Sequence, residues 1–207
     1  DRSKGAKGIT AFIVEKGFPG FKVNRELDKT GLRTSPTGEL FYESCEVPDE
    51  NVLGAVGGAA AILHGSLEWE RSLLLTRAVG DMQRKLEKCV EYANTRVQFG
   101  RPIGKNQAIS HRLAEMKVRI EAARLFCYQV AWLKSQGKPA MMEAAIAKLF
   151  TSEARTQCAL DAIQIHGGYG YMKEFEVERD LRDSLAGTIG AGSSEIQRNI
   201  IARLLGL

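Results

Sequence analysis

Three long segments with helical spacing of apolar residues limit the fold of this chain more than any other feature. In residues 59–95, apolar side chains recur from Ile62 to Val90, and from Leu74 onward they do so every four positions. The same spacing continues through residues 108–136 and 141–165, and short stretches containing Gly or Pro separate the segments. This period is that of helices with one buried face. Long helices joined by short loops predict an antiparallel four-helix bundle, completed by a last helix ending near residue 205.

The first 54 residues have a different pattern. Residues 9–14, 21–23 and 39–47 are rich in strand-forming residues, and turn signals such as Phe18-Pro19-Gly20 separate them. Three strands with open edges do not make a stable sheet by themselves. We therefore predict a mainly α fold, with the end of a middle β domain at residues 1–54 and a helical bundle domain at residues 55–207.

Composition and charge exclude several classes of protein. The chain is 44% hydrophobic and 26% charged, which is ordinary for a globular protein, and its net charge of +4 is interspersed rather than gathered into a nucleic-acid-binding arm. The four cysteines form no CxxC motif, which favours reduced buried thiols over disulfides or a metal site. No apolar run reaches bilayer length and no signal peptide is visible. Because no Met opens the chain, we expect it to be a fragment of a longer protein or a processed chain.

A glycine-rich stretch before the last predicted helix is a candidate ligand site. Gly190 and Gly192 interrupt regular structure, Ser193 or Ser194 can cap the helix, and Glu195 begins its apolar spacing. Free N–H groups at such a helix start bind anionic or carbonyl oxygens. An ordinary capped helix after a loop explains the same pattern.

Residues 96–104, RVQFGRPIG, form a second candidate. Two guanidinium groups, Arg96 and Arg101, beside flexible glycines suit a pyrophosphate, and Phe99 could lie against a flat ring. The alternative is a solvated loop with a buried Phe.

Residues 164–170, QIHGGYG, form a third candidate. Gly167 and Gly168 would let a ligand approach the backbone, and Gln164 offers an amide. A helix C-cap is the ordinary explanation of such glycines. His166 has no neighbour in sequence that would orient it as a base, so we interpret it as structural.

The last candidate is the Glu70-Arg71 pair inside the first helical segment. Glu68 is two positions away and therefore points to another face of the helix. A solvated ion pair is the commoner interpretation of these residues.

These motifs occur together in an order that resembles the C-terminal half of the acyl-CoA dehydrogenase flavoenzymes, and the resemblance covers essentially the whole chain. The matching segments are residues 31–35, 47–54, 70–71, 92–100, 107–109, 113–116, 164–170, 179–183 and 192–198. The resemblance implies an N-terminal helical domain outside this chain, a middle β domain and a C-terminal four-helix bundle. It also implies FAD, which would lie between domains and reach a neighbouring subunit.

The resemblance assigns residues to the cofactor and the substrate. Arg96, Phe99 and Gln107 would contact the pyrophosphate and adenine side of FAD, and the glycine motif of residues 164–168 would do so from the partner subunit. The full implied cofactor set is Arg96, Phe99, Gln107, Gln164, Ile165, His166, Gly167, Gly168, Ser193, Ser194 and Glu195. The implied substrate set is Glu68, Trp69, Arg71, Ala191 and Gly192, and no metal is expected.

The sequence departs from the common family pattern at Ala191. Many members have their catalytic glutamate at this position, where alanine has no proton-accepting group. Isovaleryl-CoA and long-chain dehydrogenases supply the base from the first long bundle helix instead, and Glu70 stands at the matching place. The resemblance therefore makes Glu70 the expected base, with the Ala191 N–H and a flavin hydroxyl polarising the thioester carbonyl.

The expected reaction is α,β-dehydrogenation of an acyl thioester. Trp69 beside the base favours a short, branched or cyclic acyl group, carried on CoA or, as an alternative, a prolyl or other aminoacyl group on a carrier protein. The implied partners are an electron-transfer flavoprotein or similar acceptor and further copies of the chain in a homotetramer, a dimer of dimers. The setting would be a bacterial cytoplasm, or a mitochondrial matrix in a eukaryote. By itself the chain is expected to hold FAD weakly and to lack activity.

Two other classes stay open from the sequence. One is a non-catalytic family member in which Ala191 marks lost activity. The other is a helical oligomerisation module.

Overall fold

The computed structural model describes all 207 residues except the side chains of Glu68, Ser72 and Leu73. The chain divides into two compact units, residues 1–67 and 68–207. The mainly helical fold predicted from the sequence is confirmed. The domain boundary expected after residue 54 stays a prediction.

The first unit contains two small antiparallel strand pairs. Strand β1 (Ala11–Phe12) pairs with β4 (Val52–Leu53), and β2 (Phe21–Glu26) pairs with β3 (Gly38–Tyr42). The strand expected at residues 39–47 is shorter than predicted. Its pairing ends at Tyr42, and two residues later the backbone of Ser44 turns into the left-handed region with φ 46°.

Helices follow from residue 59 to the end of the chain. They are α1 (Ala59–Leu73), α2 (Leu75–Thr95), α3 (Gln107–Ser135), α4 (Met141–His166), α5 (Val177–Leu185) and α6 (Ser194–Leu204). The single helix expected over residues 59–95 is two helices. Leu74 keeps near-helical angles (φ −64°, ψ −20°), so a local tightening rather than a turn residue interrupts the ladder of hydrogen bonds.

The core of the second unit lies among α2, α3 and α4. Met82, Cys89, Met116, Ile120 and Cys158 are fully buried there, and α5 and α6 pack on α4. Alanines supply much of the buried face of α4, which allows the neighbouring helices to approach closely. The periodicity of the sequence therefore selected the buried faces of α2 and α3, whereas Ile62 and Val90, which bound the first predicted stripe, are exposed.

The buried thiols are unreactive by position. Cys89, Cys127 and Cys158 are free and buried, and burial raises the pKa of Cys89 to about 12 and that of Cys158 to about 11. A thiol that stays protonated at neutral pH is a poor nucleophile. Within the described side chains, no group of His, Cys, Asp and Glu could hold a metal ion. None of the described helices has the length and apolarity needed to cross a membrane.

Charged side chains are buried beside this core. Asp81 of α2 accepts hydrogen bonds from Lys85 on the same helix and from Arg155 of α4, at 2.7 Å from the Arg155 Nε. Arg84 joins the group by donating to Asp81 at 3.0 Å and to Asp180 of α5 at 2.7 Å. We call these five residues the charge network. It links three helices through ions that, apart from the partly exposed Arg84, are largely withdrawn from water.

Candidate active site

A tight hairpin after α2 presents Phe99 to solvent. Strand β5 (Val97–Gln98) pairs with β6 (Arg101–Pro102), and the two residues between them have positive φ, 53° at Phe99 and 75° at Gly100. A two-residue hairpin turn of this kind requires positive φ at both positions, which suits Gly and disfavours a bulky residue. The Phe99 side chain is 95% exposed. The hairpin, in a segment expected to be a loop, therefore holds an aromatic ring that contributes nothing to the core.

The glycine motif at the end of α4 contains glycines with different surroundings. A Cβ placed on Gly170 would lie 2.4 Å from the carbonyl oxygen of Ile163, so only glycine fits there. A Cβ on Gly168 would meet no atom within 4 Å, and its φ is not in the left-handed region. The fold requires glycine at position 170 but not at position 168. The open space at Gly168 is room for something other than the chain itself.

The hairpin and the glycine motif line one cleft in the second unit. Its volume is about 730 Å³, and its lining residues are Tyr92, Arg96, Gln98, Phe99, Ile103, Asn106, Ile109, Ile165, His166, Gly167, Gly168, Tyr169 and Met172. The guanidinium of Arg96 lies 5.5 Å from the centre of the Tyr169 ring. Two motifs about 70 residues apart in sequence thus meet in a single chain. The resemblance had given them to different subunits.

His166 forms part of the cleft wall in a fixed orientation. Its Nδ1 lies 2.8 Å from the carbonyl oxygen of Ala162, so Nδ1 carries the proton and donates, which leaves Nε2 as an acceptor. Its ring stacks on Tyr92 with 4.2 Å between centres. Burial lowers the pKa of His166, which keeps the ring neutral at pH 7. The interpretation of His166 as structural holds for its contacts, and the ring also faces the cleft.

Two aromatic residues of the cleft were missed in the sequence. Tyr92 and Tyr169 lie within the matching segments 92–100 and 164–170, but neither was assigned to the cofactor or the substrate. Their signal was position, since one lies four residues before Arg96 and the other directly follows Gly168.

The segment before α6 is strained and firmly held. We call residues 190–193 the substrate loop. Ala191 has φ 53° and Gly192 has φ 90°. A left-handed conformation costs an alanine about 1–2 kcal/mol, so the surrounding contacts must stabilise it.

Arg71 and Gln197 provide these contacts. The Nε of Arg71 donates to the Ala191 carbonyl oxygen at 3.1 Å, and the Nε2 of Gln197 donates to the Gly192 carbonyl at 2.9 Å and to that of Ala191 at 3.4 Å. A Cβ on Gly192 would lie 2.8 Å from the Gln197 Nε2 and 3.3 Å from an Arg71 nitrogen. The carbonyls of Ala191 and Gly192 are therefore both hydrogen-bonded. A side chain at position 192 would push these donors away from the loop.

The amide N–H groups of the same loop are not engaged by the chain. Among the hydrogen bonds of the described residues, none uses the N–H of Ala191 or Gly192. A strained loop with its carbonyls held and its N–H groups unclaimed has the character of an oxyanion-binding element.

The remaining substrate candidates lie on α1 beside Arg71. Glu70 is exposed. Trp69 is 54% exposed, with the Lys134 ammonium 5.3 Å from its ring centre. The side chain of Glu68 lies outside the described part of the structure. Through the hydrogen bond from Arg71 to Ala191, the Glu70-Arg71 pair lies next to a loop that is 120 positions later in the sequence.

The remaining cofactor candidates lie at helix ends. Gln107 opens α3 and Gln164 lies in the last turn of α4, and neither is among the cleft-lining residues. Ser193 is the N-cap of α6, its Oγ accepting from the Ile196 N–H at 3.4 Å. The Ser194 hydroxyl is buried with no partner among the described atoms. The carboxylate of Glu195 is exposed, and hydrogen bonds from its own N–H and from Ser193 lower its pKa.

Gln197 and Lys148 were not identified from the sequence. Gln197 is fully buried and Lys148 is 2% exposed. The Lys148 ammonium has no hydrogen-bond partner among the described atoms, and burial, with Arg71 nearby, lowers its pKa. A polar residue on the buried face of a helix looks like a surface residue in the sequence. The sequence pattern therefore did not mark Gln197 or Lys148 as functional.

The fold and the site together place the chain in a known class. The family model for the acyl-CoA dehydrogenase C-terminal domain matches residues 57–206. The chain therefore belongs to the acyl-CoA dehydrogenase family, as the resemblance implied.

Particular relatives are similar over nearly the whole chain. An L-prolyl-[peptidyl-carrier protein] dehydrogenase of Pseudomonas fluorescens is 44% identical, covering 98% of this chain and 53% of the relative. A mitochondrial isovaleryl-CoA dehydrogenase of Oryza sativa is 47% identical, covering 99% and 50%. The chain spans about half the length of these curated relatives.

Solved structures agree with this assignment. The prolyl acyl carrier protein oxidase AnaB matches with TM-score 0.97 and 46% identity, over 100% of this chain and 55% of the other. An FAD complex of PigA matches with TM-score 0.95 and 39% identity, over 98% and 53%.

Proposed function

We propose that the protein containing this chain is an FAD-dependent dehydrogenase that introduces an α,β double bond into an acyl thioester. One observation carries the proposal, namely the hydrogen bond from Arg71 to the Ala191 carbonyl. It joins the Glu70-Arg71 pair to a loop with unclaimed N–H groups. A base and an oxyanion-binding element are the two protein groups that this chemistry needs.

The cleft residues fit FAD. Arg96 would bind the pyrophosphate, because a guanidinium matches phosphate oxygens with two parallel hydrogen bonds. The exposed Phe99 ring and the open space at Gly168 suit a flat ring and a close approach to the backbone. Because both motifs line one cleft, we assign both to the same FAD molecule. Gln107, Gln164, Ser193 and Glu195 stay in the proposed cofactor set by resemblance. When bound, FAD supplies the acceptor for the hydride that leaves the β-carbon.

The substrate loop would polarise the thioester carbonyl. An α-proton is too weakly acidic for a carboxylate unless negative charge on the carbonyl oxygen is stabilised as the proton leaves. The Ala191 carbonyl accepts hydrogen bonds from Arg71 and Gln197, which restrain this residue. The N–H of Ala191 can then donate to the thioester oxygen. Its orientation is fixed before substrate arrives, so little reorganisation is needed during the reaction.

Glu70 would take the α-proton. Ala191 has only a methyl group, so it cannot serve as base. Glu70 is exposed in this chain, and bound substrate would shield its carboxylate from water while bringing the α-proton to it.

The acyl group is proposed to be short, branched or cyclic. The support is similarity to both an isovaleryl-CoA dehydrogenase and an L-prolyl-[peptidyl-carrier protein] dehydrogenase. The prolyl alternative is favoured by AnaB, the prolyl acyl carrier protein oxidase matched above. An electron-transfer flavoprotein or similar acceptor would reoxidise the cofactor.

A homotetramer is proposed for the assembly. Exposed apolar side chains recur at seven-residue spacing along α3, at Val118 (68% exposed), Leu125 (65%) and Trp132 (56%). This spacing puts them on one face of the helix, which suits burial against another copy.

A substitution of the base tests the proposal. In the FAD-loaded full-length protein, Glu70→Gln should lower the rate of anaerobic flavin bleaching by about 10²–10⁴-fold, because general-base catalysis contributes that much. The substrates would be isovaleryl-CoA and prolyl-loaded carrier protein. Each would be measured with the wild-type protein alongside the variant. Glu91→Gln, a change at an exposed residue of α2, is the matched control and should bleach normally.

Each outcome separates the alternatives. Full activity of Glu70→Gln would remove Glu70 as the base. A wild-type protein that binds FAD but bleaches with no thioester would be a non-catalytic family member. Failure of the full-length protein to bind FAD would favour a helical oligomerisation module.

A further inference from the structure

The buried amide of Gln197 faces two carbonyls of the substrate loop. Its Nε2 donates to Gly192 at 2.9 Å and to Ala191 at 3.4 Å, and the side chain is completely buried between α6 and its neighbours. The two carbonyls determine which end of the Gln197 amide faces the loop. If Oε1 took the place of Nε2, it would face two carbonyl oxygens and could not accept a hydrogen bond from either. The geometry is therefore that of a donor aimed at the loop.

The other half of this amide is left without a partner. Among the described atoms, the Gln197 Oε1 is buried and makes no hydrogen bond. A buried polar atom without a partner destabilises the folded protein, so an apolar side chain of similar size would serve the packing of α6 better. Packing of α6 alone therefore does not explain why a glutamine is present at this position.

The loop needs a donor at this place. The left-handed conformation of Ala191 is unfavourable for a residue whose side chain makes no local hydrogen bond. The Arg71 Nε holds the Ala191 carbonyl from α1, and Gln197 holds it from α6 while also holding the next carbonyl. The φ and ψ of Ala191 together set the direction of its N–H relative to its carbonyl. Donors that hold the carbonyls of Ala191 and Gly192 therefore restrict the direction of the Ala191 N–H.

We infer that Gln197 is a positioning residue, which holds the Ala191 N–H in the direction that polarises the thioester carbonyl. This inference rests on the proposed function. Gln197 acts through the backbone and does not touch the substrate. Its removal should weaken polarisation of the carbonyl in the reaction more than it weakens binding of the acyl chain.

The test uses Gln197→Met and Gln197→Glu in the FAD-loaded full-length protein. Methionine keeps the length and removes the donor, and glutamate keeps the shape but replaces the donor with an oxygen. We expect kcat for the active donor, isovaleryl-CoA or prolyl carrier protein, to fall about tenfold or more, with KM changed by less than about threefold. Gln83→Met on α2, where the amide donates to Glu87, is the matched control.

A vibrational measurement separates positioning from packing. The ligand is isovaleryl-CoA, or a prolyl thioester, labelled with ¹³C at the carbonyl and bound to the chemically reduced protein, which cannot oxidise it. The carbonyl stretch should move to higher frequency in both Gln197 variants, since a less polarised C=O bond is stiffer. A change in packing alone would leave this frequency at its wild-type value.

The outcomes distinguish this inference from the proposed function. Wild-type activity together with variants that keep kcat within about twofold and an unchanged carbonyl stretch would overturn the positioning role alone. Variants that lose their far-ultraviolet circular dichroism would assign Gln197 to stability and also overturn it. A wild-type protein that no thioester bleaches would overturn the proposed function, and the inference with it.

Discussion

At the scale of single residues, the glycines near the candidate site differ in whether the fold needs them. A Cβ at Gly170 would overlap the Ile163 carbonyl, and a Cβ at Gly192 would press on Gln197. Gly168 has open space around it and lines the cleft with Arg96. Because Gly168 also lines the cleft, we expect a ligand to approach the backbone there.

Gly168→Ala tests this expectation. In the protein without FAD, we expect the free energy of unfolding to change by no more than about 0.5 kcal/mol, because the methyl group meets no atom of the chain. The affinity for FAD, measured by fluorescence titration, should fall about tenfold as the methyl group fills the space of the ligand.

Gly170→Ala supplies the contrast. Its methyl group would overlap backbone, so it should destabilise the protein with or without FAD. Unchanged FAD affinity in Gly168→Ala would show that the ligand does not approach this glycine.

At the scale of helices, α4 carries an unusual buried cation. Lys148 is 2% exposed, and its ammonium has no hydrogen-bond partner among the described atoms. Burial lowers the pKa of Lys148, and the nearby Arg71 lowers it further, while Glu153 and Glu195 oppose the shift. An ammonium that is easier to deprotonate in the folded protein than in the unfolded chain destabilises the fold while it is charged.

Lys148→Met should therefore stabilise the protein. Replacing an unpaired buried charge by an apolar chain of similar length is expected to raise the free energy of unfolding at pH 7 by about 1–3 kcal/mol. Since the folded pKa lies below the ordinary value of 10.5, the advantage should shrink as pH rises from the folded value towards 10.5. Denaturant unfolding of both proteins at several pH values measures this.

The result also bears on the active site. A destabilised Lys148→Met variant would mean that the ammonium has a stabilising partner. A more stable variant with lower kcat would mean that the lysine is retained for activity at a cost in stability.

At the scale of the whole chain, buried ions join the helices of the second unit. Asp81 is only 16% exposed at its side chain, Lys85 is fully buried and Arg155 is 11% exposed. Burial opposes ionisation of Asp81, but the hydrogen bonds and charges of Lys85 and Arg155 outweigh it and lower the Asp81 pKa to about 2. The charge network is thus held together by one carboxylate shared between α2 and α4.

Asp81→Asn should destabilise the protein strongly. It leaves two buried cations without their counter-ion, which typically costs about 3–5 kcal/mol. Because the folded pKa is depressed from 3.8 to about 2, the stability due to Asp81 is present above pH 3.8 and lost as pH falls through about 2. The difference between wild type and variant in urea unfolding should therefore shrink at acid pH.

A surface pair provides the control for this measurement. Glu121→Gln removes the ion pair with Lys117, which lies on the solvent-facing side of α3, and should change stability by less than about 1 kcal/mol. An Asp81→Asn effect as small as this would mean that the charge network contributes little.

Much of the fold follows from the sequence alone, because helical periodicity is a local property. The spacing of apolar residues predicted α3, α4 and α6 closely and identified the buried face of α3. In α6 it did not, because the buried residues there are Ser194 and Gln197, while Ile196 is 45% exposed. It did not predict the break at Leu74, whose backbone angles are nearly helical, nor the hairpin that presents Phe99.

The sequence also determined the chemical types at the site, including the absence of a carboxylate at Ala191 and the presence of one at Glu70. Only the tertiary structure decided which residues meet. It brought Arg71 to Ala191 across 120 positions, brought the Arg96 and Gly168 motifs into one cleft, and buried Gln197 beneath the substrate loop. The physical reason is that periodicity records which face of a helix is buried. The partner of a buried polar group depends on how the helices pack, which no local pattern contains.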